Sequence, residues 1–520
     1  MTAGLPLDRI VFVAAALMIG AVLISAVASR PHSRLRIPGA LLFLTLGMVV
    51  GTDGLGWVGL DDQLLVRDLG VVALLIILFE GGLTTKPTDL KRAAVPGLAL
   101  STVGVLVTAG VTALAAWLIF DLDPVTAGLL GSVVASTDAA AVFSMMRTTP
   151  LPRRVSAVLR IESGANDPIA IMLTVGLLAT IENGAMGPAA WARFAAVQIL
   201  AGVAAGAVCG AGAVWVLRRV NLGIAGLYPV LAAAFGALAY GTAALVGGSG
   251  FVAVYLAGLA IGSFVPRHRR GVLGFHEAMA NAAEVGLFLL LGLLVFPSRL
   301  PEVALPGLAV VGVLVFVARP LAVWLCTLGS RFTWREQAVV SLAGLRGAVP
   351  IVLATFPYTA GIAGGSDIFD VVFFVVLVSV LVQGSSLLPV VRLLGLESSR
   401  PAWAPVAEAL PLDEIDIDLV ELFVTDDLRI ANRRLAELPE LGDSRVAAIV
   451  RDDRVLVARG DTMILPGDVL LLTAQRQGDV LERITAWARG ETATAPPLAS
   501  EGEDPPPVGT TRDARDGTQP

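Results

Sequence analysis

From Ile10 to about Leu396 the chain is a nearly unbroken series of apolar runs, each roughly 17–25 residues long. A run of that length can cross about 30 Å of hydrocarbon as a helix. A chain that repeats it has few alternatives, because backbone polar groups in lipid must be satisfied within the segment. Composition agrees: 56% of residues are hydrophobic and only 15% charged, against about 25% charged in soluble domains. The expected fold is therefore an all-α polytopic membrane protein of about thirteen transmembrane helices. These are placed at 10–28, 37–51, 69–83, 94–120, 125–146, 161–181, 191–216, 227–246, 251–265, 278–297, 303–328, 336–358 and 368–396. The first run lacks a basic leader and an A-x-A-like site, so it reads as a helix that stays, not a cleaved signal.

Basic residues test this division. Arg30, Arg34 and Arg36, then Lys86, Lys91 and Arg92, then Arg147, Arg153, Arg154 and Arg160 fall in alternate loops. The same set continues with Arg218 and Arg219, then Arg267, Arg269 and Arg270, then Arg331 and Arg335. The opposite loops hold Arg67 and Arg299, with Arg193 just inside a helix. Cytoplasmic loops carry the Lys/Arg excess. The N-terminus is thus expected outside and the C-terminus in the cytoplasm.

The composition changes after Leu396. Residues 397–414 read as a linker, 415–486 as a small soluble α+β domain and 487–520 as a disordered tail poor in aromatics. Within the domain, strands are expected at 419–424, 446–451 and 469–473 and a helix at 429–438. Turns are expected at Arg451-Asp-Asp-Arg454 and Pro466-Gly467-Asp468. The net charge of −6 and its acidic C-terminal weight argue against nucleic-acid binding. Cys209 and Cys326 sit in apolar runs and read as small buried hydrophobes. No metal-ligand or disulfide spacing is present, and no cofactor or enzymatic activity is implied.

Ionisable residues inside a bilayer cost several kcal/mol, so each needs a reason. Glu80, Asp138, Glu162, Asp167, Glu284, Arg319 and Arg346 are the set here. In Glu162-Ser-Gly-Ala-Asn-Asp-Pro168, Ser163 and Asp167 are four apart and share a helix face, and Glu162 and Asn166 share the next. A carboxylate beside a hydroxyl and an amide oxygen offers hard ligands to a small cation. Such a carboxylate holds either a proton or a cation, and that exclusion is the minimal physics of an exchanger. A purely structural role for Asp167, paired to an arginine, is disfavoured because Glu162 is available for it. In Ala135-Ser-Thr-Asp-Ala139, side chains compete for backbone hydrogen bonds and are expected to break the helix. In Gly344-Leu-Arg-Gly-Ala-Val-Pro350, Gly344 and Gly347 permit an irregular backbone around Arg346. Arg319 and Arg346 are permanently charged and need carboxylate partners. Arg319 with Glu162 and Arg346 with Asp138 is the preferred pairing, and the reverse stays open. Glu80, in Leu78-Phe-Glu-Gly-Gly82, is expected to face a cavity, and Glu284 to line a cytoplasmic funnel or cap a helix.

Other signals carry less. Gly54-Leu-Gly-Trp-Val-Gly59 fits a dinucleotide motif but lies in a loop with no strand before it. Gly202, Gly206 and Gly210 recur every four residues, as in a close helix-packing face. His32, His268 and His276 fall in cytoplasmic loops or at a helix edge and read as solvated.

Taken in order, Phe79-Glu-Gly-Gly82, Ser136-Thr-Asp138, Glu162-Ser-x-x-Asn-Asp167, Ala318-Arg319 and Gly344-Leu-Arg-Gly-Ala348 resemble the monovalent cation:proton antiporters. The likeness is to the NhaP-like branch, which also includes animal sodium/proton exchangers. It covers roughly 10–396. It implies thirteen helices with inverted repeats and two crossing broken helices. Helices 4–6 and 11–13 would form a core that moves as a rigid body against a dimeric scaffold. It implies that Asp167 carries the ion and proton, with Thr137, Asp138 and Ser163 as further ligands. Asn166 stands where electrogenic relatives have a second aspartate, which implies electroneutral exchange. Ala139 departs from the proline that many relatives have there. Residues 415–486 resemble the TrkA-C-like C-terminal subdomain of potassium-conductance regulators, which implies a regulatory domain that dimerises and takes a small-molecule ligand.

The expectation is a homodimeric potassium/proton antiporter, with sodium/proton exchange on the same fold as the alternative. Rivals from other classes are a cation channel gated by its cytoplasmic domain, a sodium-coupled symporter and a non-transporting sensor. The channel lacks a T-V-G-Y-G-like filter.

Overall fold

The computed structural model describes residues 15–23, 39–58, 62–85, 95–138, 142–143, 146, 151–265, 269–396, 406–412, 417–426, 428–451, 454–475 and 480–490. The chain divides into two compact units, Met1–Ala402 and Trp403–Pro520.

The first unit is helical. Residues 15–23 are helical, followed by α1 (Gly39–Val50) and α2 (Gln63–Thr84). Next come α3 (Val95–Phe120), α4 (Pro124–Val133) and α5 (Arg153–Asn183). After them run α6 (Pro188–Arg219), α7 (Leu227–Leu245), α8 (Gly250–Phe264) and α9 (Arg269–Leu294). The last are α10 (Pro297–Thr327), α11 (Trp334–Leu342), α12 (Ala348–Thr359) and α13 (Gly365–Leu393). Among the described residues, seven helices are long and apolar enough to cross a membrane, and α1, α4, α8 and α12 are shorter apolar helices. Large apolar side chains such as Phe316, Leu305 and Leu200 are 79%, 81% and 68% exposed. In water that surface would drive association; against lipid it is the expected exterior.

Local chemistry sets the helix ends. Asp62 accepts from Leu65 N–H at 3.0 Å and starts α2. Asp123 accepts from Val125 and Thr126 N–H, with Pro124 at the first helical position of α4. Thr333 and Glu336 form a reciprocal capping box on α11. Segments that the sequence assigns to one side of the membrane do meet. Arg154 donates to the Arg331 carbonyl at 2.7 Å and stacks on Phe332. On the opposite set, Asp53 accepts from Ser298 N–H at 2.7 Å.

The helices fall into two packing groups. In one, α8 lies against α2 and α6, and α9 against α1 and α2. The contacts run through glycine. A Cβ on Gly202 or Gly206 would lie 2.7 Å from the Ser249 or Ala253 carbonyl oxygen of the facing chain. Backbones can approach that closely only where side chains are absent. In the other group α3, α4 and α5 pack together, as do α10, α12 and α13. Each of these triplets contains a helix with a π-turn (Leu100–Gly104 in α3, Leu314–Ala318 in α10), then a broken helix, then a long helix. That repetition matches the expected internal repeat. The predicted helix 336–358 is two helices separated by Ala343–Gly347, and 125–146 stops at Val133 and is helical again at 142–143.

The second unit is an antiparallel sheet of order β1-β2-β5-β3-β4. Its strands are β1 (Val406–Leu412), β2 (Ile417–Phe423), β3 (Arg445–Arg451), β4 (Arg454–Val457) and β5 (Val469–Gln475), and α14 spans Val480–Ala488. Ile484 and Trp487 of α14 join Val420, Leu422, Ile449, Leu470 and Leu472 in the core. Two expectations change. Val406–Leu412, read as linker, pairs with β2; Pro411 within it masks the strand pattern. Residues 429–438, read as a helix, form turns and a short 3-10 segment at Leu435–Glu437. Three of their N–H groups go to the chain opposite, Asn432 on Ile464, Leu435 on Thr462 and Ala436 on Gly460, and are lost to a helical ladder. The predicted tail lies outside the described residues, apart from its first four.

Candidate functional site

The two breaks meet. Beyond Val133 the chain leaves α4, and the Asp138 N–H donates to the Leu345 carbonyl at 2.8 Å, inside the gap between α11 and α12. Each interruption frees backbone groups that a continuous helix would pair. Side chains from elsewhere take them up. Arg346 donates through Nη1 to the Ala135 and Ser136 carbonyls at 2.8 and 2.6 Å. Gln383 of α13 donates to the Leu342 carbonyl at 3.2 Å, and the Ser379 hydroxyl accepts from Arg346 N–H at 3.2 Å. Arg346 thus stands at a carbonyl-rich helix end, where a cation is favoured. Asp138 stands against Gly347, which precedes the first turn of α12; a Cβ there would collide with the Asp138 carboxylate. A helix N-terminus favours a carboxylate. Gly344 leaves room for the Arg319 guanidinium in the same way.

Arg319 and Glu162 form a two-pronged ion pair, Nη2 to Oε2 at 2.8 Å and Nη1 to Oε1 at 2.5 Å, with side chains 3% and 2% exposed. The pairing preferred from sequence for Arg319 is the observed one, whereas the Arg346 guanidinium is seated on carbonyls. Among the described residues its Nε and Nη2 have no hydrogen-bond partner. Thr137 Oγ1 donates to Glu162 Oε1 at 3.3 Å and accepts from Asn166 Nδ2 at 2.7 Å. The line Arg319–Glu162–Thr137–Asn166 therefore ties α10 to the break in α4 and to α5.

Asp167 is 7% exposed, beside the Ser136 hydroxyl and within electrostatic range of Asp138. Ser136 Oγ, Asn166 Oδ1 and Asp167 Oδ1 are buried with no hydrogen-bond partner among the described residues. Leaving such atoms unpaired costs about 1–3 kcal/mol each. Pro168 lies inside α5 directly after Asp167 and has no N–H to give to the Gly164 carbonyl one turn earlier. A buried carboxylate near unspent oxygen acceptors suits a small cation or a proton. Ser163 lies on α5 one turn before Asp167 and is partly buried.

Glu80, on α2, lies within electrostatic range of Glu277 and Glu284, and Glu284 within range of Asp138. The acids are therefore linked pairwise, Glu277 with Glu80, Glu80 with Glu284, and Glu284 with Asp138. Sequence reading missed Ser136, Ser379 and Gln383 as parts of this site. It also took His276 as solvated. His276 is 2% exposed, with Nδ1 2.7 Å from the Val272 carbonyl oxygen and its ring edge-on to Phe79. His32 and His268 lie outside the described residues.

The transmembrane sodium/hydrogen exchanger family matches residues 18–393, and the TrkA-C domain matches residues 419–485. The chain is 39% identical over 471 residues to the K(+)/H(+) antiporter NhaP2 of Shewanella oneidensis, covering 88% of this chain and 81% of that one. It is 37% identical over 482 residues to the K(+)/H(+) antiporter NhaP of Alkalimonas amylolytica, covering 91% and 83%. The Na(+)/H(+) antiporter ApNhaP of Aphanothece halophytica is 28% identical over 388 residues, with 70% and 71% covered. In fold the chain resembles the sodium proton antiporter MjNhaP1 of Methanocaldococcus jannaschii, with a TM-score of 0.64 at 23% identity, covering 74% of this chain and 99% of that one. This chain belongs to the sodium/hydrogen exchanger family.

Proposed function

We propose that the protein exchanges one monovalent cation for one proton across a bacterial inner membrane, with both competing for Asp167. The observation that carries this is the buried Asp167 carboxylate beside oxygens that have no hydrogen-bond partner among the described residues, at the meeting point of two interrupted helices. In a low dielectric the neutral states of such a site, protonated or cation-bound, are far less costly than the bare carboxylate. The cycle therefore carries one or the other. Asn166 supplies an amide where a second titrating acid would change the stoichiometry, so exchange is electroneutral. Glu162 is occupied by Arg319. Asp138, Thr137, Ser163 and Asn166 complete the cation's oxygen shell.

Potassium is favoured over sodium, because relatives described as K(+)/H(+) antiporters share 37–39% identity over 88–91% of this chain, C-terminal domain included. The protein acts as a homodimer with thirteen crossings, N-terminus outside and C-terminus in the cytoplasm. The α3–α5 and α10–α13 group moves against the other, and residues 415–486 regulate the exchange, with a small molecule as ligand. It is a transporter that needs no resident cofactor and has no enzymatic activity.

The test uses proteoliposomes with a trapped pH dye and an imposed pH gradient, challenged with K+, Na+ or Li+ with and without a clamped potential. Dequenching on K+ addition, insensitive to the potential, is the expected result. No cation-dependent proton movement in a folded, inserted protein would sink the reading in favour of a channel or sensor.

A further inference from the structure

One cavity lies on the other side of Asp167 from Glu80. It has a volume of about 490 Å³ and is walled by both packing groups. Ile171, Met172 and Val175 of α5 and Phe356 of α12 form one wall. The start of α2, the end of α7 and the start of α8 form the other. All these helix ends belong to the membrane face that holds the 51–58 loop. Asp167, Ile171 and Val175 follow at four-residue spacing and share one face of α5. The cavity floor is thus one helical turn, about 5.4 Å, beyond the ion-binding acid. Ile171 fills that turn and is 3% exposed, whereas Met172 and Val175 are only half-buried.

The mouth carries two charges on adjacent residues of α2. Arg67 donates from Nε and Nη2 to Asp68 Oδ1 at 3.1 and 3.0 Å. Its Nη1 reaches Thr359 Oγ1 at 3.4 Å, and its guanidinium lies 6.0 Å from the Phe356 ring centre, so one residue of α2 spans to α12. A solvated pair of this kind contributes little to stability. Its place is more telling, because charges at the rim of a low-dielectric cleft focus their field along it.

We propose that this cavity is the second approach to Asp167, closed by Ile171 in this conformation. Asp68 and Arg67 at its mouth set the affinity with which a cation is taken up from that face. This rests on the antiport reading above. Asp68 concentrates cations at the mouth, and Arg67 opposes it while bridging the two helix groups. Neither touches the ion once it is bound at Asp167, so both act on uptake from one side only.

The experiment measures the cation KM separately from each face, in right-side-out and inside-out vesicles, for wild type, Asp68→Asn and Arg67→Gln. Asp68→Asn should raise KM about threefold from the face of the 51–58 loop and leave it unchanged from the other, at low ionic strength. Arg67→Gln should lower it from the same face. Alongside, Met172→Cys in a Cys209→Ser/Cys326→Ser background should react with a membrane-impermeant cationic thiol reagent from that face only, as Leu55→Cys in the exposed loop does. Equal KM changes from both faces, or none, overturn the proposal while wild-type exchange leaves the antiport reading standing. Met172→Cys that is inert or labelled from the opposite face, in vesicles where Leu55→Cys reacts, overturns it too. If the wild type itself moves no protons in response to cation, the antiport reading has failed, and this inference with it.

Discussion

The two helix groups of the membrane unit solve opposite problems. Around α6 and α8, glycine removes side chains and lets backbones touch, so the packing is close and leaves little to rearrange. Around the crossing of α4 with α11 and α12, the backbone is opened, and its freed carbonyls and N–H groups are met by Arg346, Gln383 and Ser379. Glycine occurs in both places for different reasons. Gly206 admits a neighbouring backbone; Gly347 admits the carboxylate of Asp138. One group is built to stay in shape, the other to hold charge where lipid would not.

The largest effect should come from the charged group. Asp167→Asn keeps the volume and removes the titrating oxygen, so exchange should fall by at least about a hundredfold, roughly 2.7 kcal/mol or more in the barrier. Size-exclusion behaviour should be unchanged, and retained exchange would move the site elsewhere. Arg319→Ala leaves Glu162 buried without its guanidinium partner, at a cost of about 3–5 kcal/mol. Thermal unfolding in detergent should show it, and Arg319→Met with Glu162→Leu should recover much of the loss. The contrast sharpens with two alanines. Gly206→Ala should cost about 1–3 kcal/mol of stability and leave turnover per folded molecule near wild type. Gly347→Ala should do the reverse, with more than about a tenfold loss of exchange, or 1.4 kcal/mol, and a small change in melting. If the two variants behave alike, the division into platform and carrier is wrong.

The smallest effect lies in the C-terminal unit. Arg451 binds Asp468 through Nε and Nη2 at 2.7 and 2.8 Å, and Leu465 N–H donates to the same carboxylate. Burial works to raise the Asp468 pKa, but Arg451 and the Leu465 N–H outweigh it and hold it below the usual carboxylate value. A lowered folded-state pKa gives stability that is present above the unfolded value of 3.8 and is lost as pH falls through the folded one. Asp468→Asn should therefore increase hydrogen exchange in β3 and β5 of the full-length protein at pH 7 by an amount matching about 1–2 kcal/mol. The difference from wild type should shrink only below about pH 4. A difference that vanishes already at pH 6 would remove Asp468 as its source.

The charged residues themselves were legible in the sequence, because a charge in an apolar run needs a reason wherever it occurs. So were the breaks, through Ser136–Asp138 and through Gly344 and Gly347. The atoms that make the breaks tolerable were not. Ser379 and Gln383 sit in a helix of near-uniform apolarity, and their partners Arg346 and Leu342 lie 33 and 41 residues away. His276 follows a basic loop and has a polar side chain, so local context suggests water. Its burial depends on Phe79, almost two hundred positions earlier, reaching it across the packing of α2 and α9. The 429–438 segment has helical composition, but the chain at 460–464 competes for its N–H groups and wins.

The Arg319–Glu162 pair joins residues 157 positions apart. At about 5–20 residues per second of synthesis, Glu162 is in the nascent chain for roughly 8–30 s before Arg319 exists. Asp138, Glu162 and Asp167 are all made before either late arginine exists to meet them. Helices α4 and α5 therefore precede α10, and Glu162 has no guanidinium partner until α10 is made. Pairing of Glu162 is timed by the arrival of α10.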